Sequence, residues 1–249
     1  MAWGSRGWIW PAWLLPALLA GVQAFAAPVA YRVDEQASHF AVITHAEGLG
    51  HDHLITARGY TAELKADDAD LASSSFSLSV PVSGLAVDDA QAAEALTPRL
   101  LTLGVVDEAF PQLSREDRAT IGERIRSESQ LDAERHPTVT ARLTGVLREA
   151  GEWNDHAFPR QMAIALTVRG ATVTRRVPAT ILVTDEQVRA SAIGAFRFTE
   201  FGVEPFSAGL GLVRNADEFH VYVELRATRT AGAHSMGDYP IARYSMPMQ

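Results

Sequence analysis

Apolar and polar residues alternate through much of the chain, most cleanly between Arg160 and Val203. Met162, Ile164, Leu166 and Val168 form one run, and Val177, Ala179, Ile181 and Val183 a second. Val188, Ala190 and Ala192, continued by Phe196 and Phe198, form a third. A period of two keeps one face of a strand dry and the other wet. Short breaks at Arg169-Gly170 and Thr184-Asp185-Glu186 separate the runs, as in an antiparallel meander. No crossover helix interrupts them, which argues against a parallel sheet.

The same alternation marks other strands. Phe40 and Val42 alternate with His39 and Ala41, and His53 to Tyr60 reads as a second strand followed by an acidic loop from Lys65 to Leu71. In Ser75 to Ser83 the apolar positions are Phe76, Leu78, Val80 and Val82; Pro81 has no ladder donor, so a sheet edge or a bulge is expected there. Val139, Ala141 and Leu143 continue the pattern. A polar hairpin loop at Glu149–His156 follows, with Trp153 and His156 expected at the surface or rim. Phe219, Val221, Val223, Leu225 and Ala227 mark the last strand, and a loose tail is expected over 229–249. Helical signals occur only from Asp89 to Leu103 and from Ser114 to Glu128, the second opened by a capping-box-like Ser114–Asp117 with Ile121 and Ile125 on one face. A Phe110-Pro111 break divides them. This insertion, about 89–128, is expected to lengthen a surface connection or to cap one end of a barrel.

Several motifs resemble the YceI-like family. Tyr31-Arg32-Val33-Asp34 with Ser38 to Val42 is similar to its opening segment, and Leu166 to Thr172 to its strand–turn–strand. Gln130 to Pro137 and Phe198-Thr199-Glu200-Phe201-Gly202-Val203 resemble two further segments, in the family's order. The resemblance spans Tyr31 to Thr228 apart from the enlarged helical insertion. It implies a lipocalin-like antiparallel barrel that binds polyisoprenoids or other long amphipathic lipids. Where the family carries a basic residue, this chain has Phe198; Arg197 stands one place earlier, on the opposite strand face.

Composition narrows the classes. The chain has 249 residues and a formal net charge of −8, which disfavours nucleic acid. It has no cysteine, hence no disulfide, thiolate nucleophile or zinc–thiolate site. Residues 1–26 read as a cleaved signal peptide: Arg6, an apolar run from Trp8 to Ala20, then Ala24-Phe25-Ala26. A periplasmic mature protein is therefore expected, starting at Ala27, with no later membrane-spanning segment.

The least ordinary stretch is His45-Ala46-Glu47-Gly48-Leu49-Gly50-His51-Asp52-His53. Its glycines suggest a turn across which His45 could face His51 and His53. Neutral imidazoles with a carboxylate suit zinc, copper or nickel. The spacing fits no standard site, so His45, His51, Asp52 and His53 are weak metal candidates and read more simply as loop residues. No nucleophile elbow, phosphate loop, dinucleotide fingerprint or metalloprotease helix appears. The pairs Asp67-Asp68 and Asp88-Asp89 read as solvated turn aspartates.

These readings converge on an all-β protein. It is a single antiparallel lipocalin-like barrel of about eight strands with a helical insertion, covering 27–228. By parity, Phe40, Phe76, Leu78, Leu143, Ile164, Leu166, Ile181, Phe196, Phe198, Val221 and Val223 face one interior, expected to hold part of a ligand. The expected role is non-enzymatic and cofactor-free: periplasmic binding or sequestration of an amphipathic lipid such as a polyisoprenoid. Two other readings stand beside it: a metal- or haem-linked periplasmic accessory protein built on the histidine cluster, and a structural domain with a solid interior.

Overall fold

The computed structural model describes residues 28–230. The signal segment 1–26 and residues 231–249 of the expected tail lie outside them.

The strands, in chain order, are β1 (Val29–Val33), β2 (His39–Gly48), β3 (His53–Ala57), β4 (Thr61–Ala66), β5 (Ser75–Pro81) and β6 (Leu85–Val87). After helices α1 (Ala90–Thr102) and α2 (Arg115–Arg126) come β7 (Thr138–Leu147), β8 (Gly151–Trp153), β9 (His156–Phe158) and β10 (Arg160–Val168). β11 (Ala171–Val183), β12 (Gln187–Arg197), β13 (Ser207–Ala208) and β14 (Val213–Arg229) complete the list. Eight antiparallel staves close a barrel. The first three are kinked into two pieces each: β1 with β2, β4 with β3, and β5 with β6. β7, β10, β11, β12 and β14 are the other five. Closure comes from β14, which pairs with β12 along one edge and with β2 and β1 along the other.

Local chemistry explains the breaks. Arg169 and Gly170 both have left-handed φ, 50° and 79°, as a two-residue hairpin turn requires. Pro81 ends β5 and leads into a 3-10 turn at Val82–Gly84, which is the kink its missing donor predicts. Gly194 faces Val177, where any Cβ would lie 2.3 Å from a valine methyl. Arg229 belongs to β14 rather than to the tail, because with Thr228 it completes the pairing with β1 and so closes the sheet. Phe198 is not in a strand. It opens a 3-10 turn, Phe198–Phe201, whose Thr199 N–H and hydroxyl both donate to Asp217.

The apolar residues fill two cores on opposite sides of the wall. The inner faces enclose the barrel interior. Outside it, Ala41, Ile43, Leu54, Ile193 and Tyr222 are buried under α1, whose Ala92, Leu96 and Leu100 pack with them. Dry faces therefore point both ways at this wall, not only inward. The insertion does two things: α1 lies along the outer wall, and Ile121 and Ile125 of α2 face the interior at one end. Asp89 caps α1 by accepting the Ala92 N–H, and Ser114 caps α2 by accepting that of Asp117. Trp153 is no rim residue. The β8–β9 hairpin lays it against the outer core, and Asn154 Nδ2 donates to the Leu103 and Gly104 carbonyls to hold it there.

Leu96 is fully buried in this outer core. Leu96→Ala should lower unfolding free energy by about 2–5 kcal/mol in urea titrations. A loss near zero would mean that α1 is a dispensable connection.

Candidate ligand-binding cavity

The inward positions of β2, β5, β7, β10, β11, β12 and β14 enclose a cavity of about 170 Å³. Its wall is almost entirely aliphatic and aromatic; among the described residues Ser74 is its one polar side chain. Ten of the eleven residues assigned to the interior by parity line it: Phe40, Phe76, Leu78, Leu143, Ile164, Leu166, Ile181, Phe196, Val221 and Val223. Phe198 lies instead in a second chamber of about 210 Å³ toward the loop end. The two chambers share the side chains of Val42, Ile55, Leu85, Val139 and Leu166, so they stack along one interior.

The second chamber changes character. Val168, Phe198, Phe201, Val203, Phe206 and Phe219 give it an apolar wall, while His51, His53, Arg124, Gln130 and Asn215 add polar groups. Arg124 comes from α2. Its guanidinium lies 4.4 Å from the centre of the Phe206 ring, and it pairs with no carboxylate among the described residues. Arg124 and Gln130 also border an open polar cleft with Ser127, Ser129 and Glu204. The basic residue at this end thus comes from the insertion, whereas Arg197 is exposed on the outer face. The sequence hinted at this helix face through Ile121 and Ile125, but nothing in it pointed to Arg124.

The barrel wall splits the histidine cluster. His53 faces inward. Its Nδ1 lies 2.7 Å from Asp88 Oδ2, and Asp88 also accepts the Leu54 N–H. Asp88 is 3% exposed and holds a left-handed φ of 43°. It is a buried orienting carboxylate, not a solvated turn aspartate; Asp89 caps α1 and pairs with Arg58. His45 faces outward, so it does not meet His51 and His53 across the turn. Its Nδ1 contacts Asp52 at 2.8 Å and its Nε2 contacts His220 Nδ1 at 2.7 Å. His220 Nε2 lies 3.5 Å from Glu218, and Trp153 stacks edge-on against the His220 ring. No three ligand-type side chains converge on one point among the described residues.

Burial alone would raise the Asp52 carboxyl pKa, but the hydrogen bond from His45 and the Ala46 N–H hold it below the usual range. With Asp52 ionised, a proton on Nδ1 of each ring satisfies both contacts in the chain. His220 is pushed down to about 4, first by burial and then by repulsion from His45, against the pull of Glu218 and Asp52.

A sequence model of the YceI-like domain matches residues 31–227. The fold is similar to that of Burkholderia cenocepacia BcnA, at 16% identity and a TM-score of 0.54, over 79% of this chain and 100% of that one. A Campylobacter jejuni YceI protein aligns at 14% identity and a TM-score of 0.47, over 71% of this chain and 84% of the other. A polyisoprenoid-binding domain from Saccharophagus degradans, implicated in plant cell wall breakdown, aligns at 9% identity and a TM-score of 0.47. That alignment covers 81% of this chain and 99% of the other. No curated protein matches in sequence.

The His220 shift has a signed consequence. Its pKa in the folded chain, about 4, lies below the ordinary 6.5, so on acidification the unfolded chain takes up the proton first. Its contribution to stability is complete above pH 6.5 and falls as the pH drops toward 4. The His220 ring resonances should titrate near pH 4 by NMR; a midpoint near 6.5 would contradict the buried geometry.

Proposed function

The chain belongs to the YceI-like domain family, and from that premise we propose that its barrel binds one amphipathic lipid, such as a polyisoprenoid. The tail occupies the stacked chambers and the headgroup lies at the loop end. The observation that carries this reading is the change of lining along one interior: apolar at depth, with Arg124, His51, His53 and Gln130 added at the rim. A chain buried at depth gains roughly 0.8 kcal/mol per CH₂, so tight binding needs few polar contacts. At the rim, Arg124 offers donors to headgroup oxygens. Asp88 fixes the His53 ring by bonding Nδ1, which leaves Nε2 for the ligand. The role is one of binding and sequestration rather than catalysis.

We further propose that binding takes place in the periplasm after removal of residues 1–26. The support is the apolar run from Trp8 to Ala20 followed by Ala24-Phe25-Ala26. Among the described residues no helix is long and apolar enough to cross a membrane. The intact mass of the chain recovered from the cell envelope should then begin at Ala27; a mass that includes Met1 to Ala26 would overturn cleavage.

Leu166 forms part of the wall common to both chambers, so Leu166→Trp tests occupancy. Ligand space can accept the added volume, and the variant should fold with a near-normal melting temperature. Its content of extractable lipid, measured by mass spectrometry of the organic extract, should fall several-fold. A solid interior would respond the other way: lipid content would not change, and overpacking would destabilise the fold by about 1–3 kcal/mol.

A further inference from the structure

Two loop tips beside the second chamber carry most of the exposed large aliphatic groups among the described residues. Leu49 is 75% exposed, Leu210 108%, Leu212 62% and Val213 36%. The only others, Leu101 and Leu182, lie away from these loops in sequence and in the fold, so the patch is local. The tips form one unit: the Leu49 N–H donates to the Leu212 carbonyl at 3.0 Å, and Gly48 pairs with Val213 at the start of β14. The unit is continuous with the cavity, because Gly50 and Val213 line the second chamber.

The backbone at the tip is unusual. Gly209, Leu210 and Gly211 have φ of 60°, 57° and 85°, a left-handed run in which a leucine is strained. The run turns the Leu210 side chain fully into solvent, and no described residue covers it. A bulky apolar residue in an unfavourable conformation and in water is costly twice over, and such a site points to function.

We propose that this paired tip inserts into the surface of a lipid bilayer and docks the loop end of the barrel on it. Its shape selects this occupant. A stable protein contact buries about 800 Å² on each partner, over a fairly continuous surface. Two projecting glycine-flanked tips with four aliphatic side chains offer much less, but suit shallow insertion between lipid headgroups. The charge behind the tip agrees: Glu47 and Arg214 form an ion pair with each other, so the docking element carries no net charge of its own. Attachment should therefore be apolar and insensitive to salt. Docked this way, the chamber opens where a lipid leaves the bilayer, and the tail need not cross water. The proposal rests on the lipid-binding reading for its purpose, not for its geometry.

The test is co-sedimentation of the mature protein with sucrose-loaded phosphatidylcholine vesicles at low and high salt. The protein should pellet equally at both. Leu210→Ser with Leu212→Ser should reduce partitioning by roughly tenfold or more, as expected when two inserted leucines are lost. Leu49→Ser alone should reduce it less, with melting temperatures unchanged because these side chains are exposed. Leu166→Trp separates the two ideas: it should empty the cavity yet still pellet. No pelleting of the parent protein, or equal pelleting of parent and double variant, would overturn the proposal. So would light scattering that shows a dimer which the double variant dissociates, since the patch would then be a self-contact.

Discussion

The structure depends on one stretch of strand pairing. β14, Val213–Arg229, is hydrogen-bonded to β12 along one edge and to β2 and β1 along the other. Without that second edge the sheet would be open, with backbone donors and acceptors left to water or to other chains. The same strand serves both cores. Phe219, Val221, Val223 and Leu225 face the chambers, while His220 and Tyr222 face the outer core. Its first residue stands at the loop tip, and its last pairs complete the closure. A one-residue slip would exchange the two faces and lose both cores together.

The outer core explains how an interior can stay hollow. A barrel of this size is just wide enough to be filled by side chains or to hold one small ligand. Here α1 and the β8–β9 hairpin add a second, solid core, in which Ile43, Leu54, Leu96, Leu100 and Leu103 are fully buried. That packing stabilises β2, β3, β12 and β14 from outside. The inner faces are then free to leave space along the axis. The inserted helices are thus not a lengthened loop. One supports the wall, and the other brings Arg124 to the polar end of the cavity.

Much of this was legible in the sequence, and the rest was hidden for physical reasons. Period-two alternation located the meander and its turns, because a wall with one wet face leaves that signature. The parity argument placed ten of its eleven residues on the first chamber. Phe198 departed because the strand ends there in a 3-10 turn. Alternation fails where both faces are dry, and Ala41-Val42-Ile43 and Leu54-Ile55 were the visible trace of the outer core. The expected facing of His45 with His51 and His53 failed because nearness in sequence does not say on which side of a wall a side chain lies. His45 found His220, 175 residues away, and His53 found Asp88. Such long-range partners carry no local signal.

The central claim is that the barrel interior is ligand space and not merely loose packing. Native mass spectrometry of the protein purified from its own cell envelope, without added lipid, measures this most directly. The account predicts a chain that carries a single adduct, lost in organic solvent and recovered there as an amphiphile with a long hydrocarbon tail. A homogeneous bare polypeptide mass under conditions that preserve the fold would contradict it.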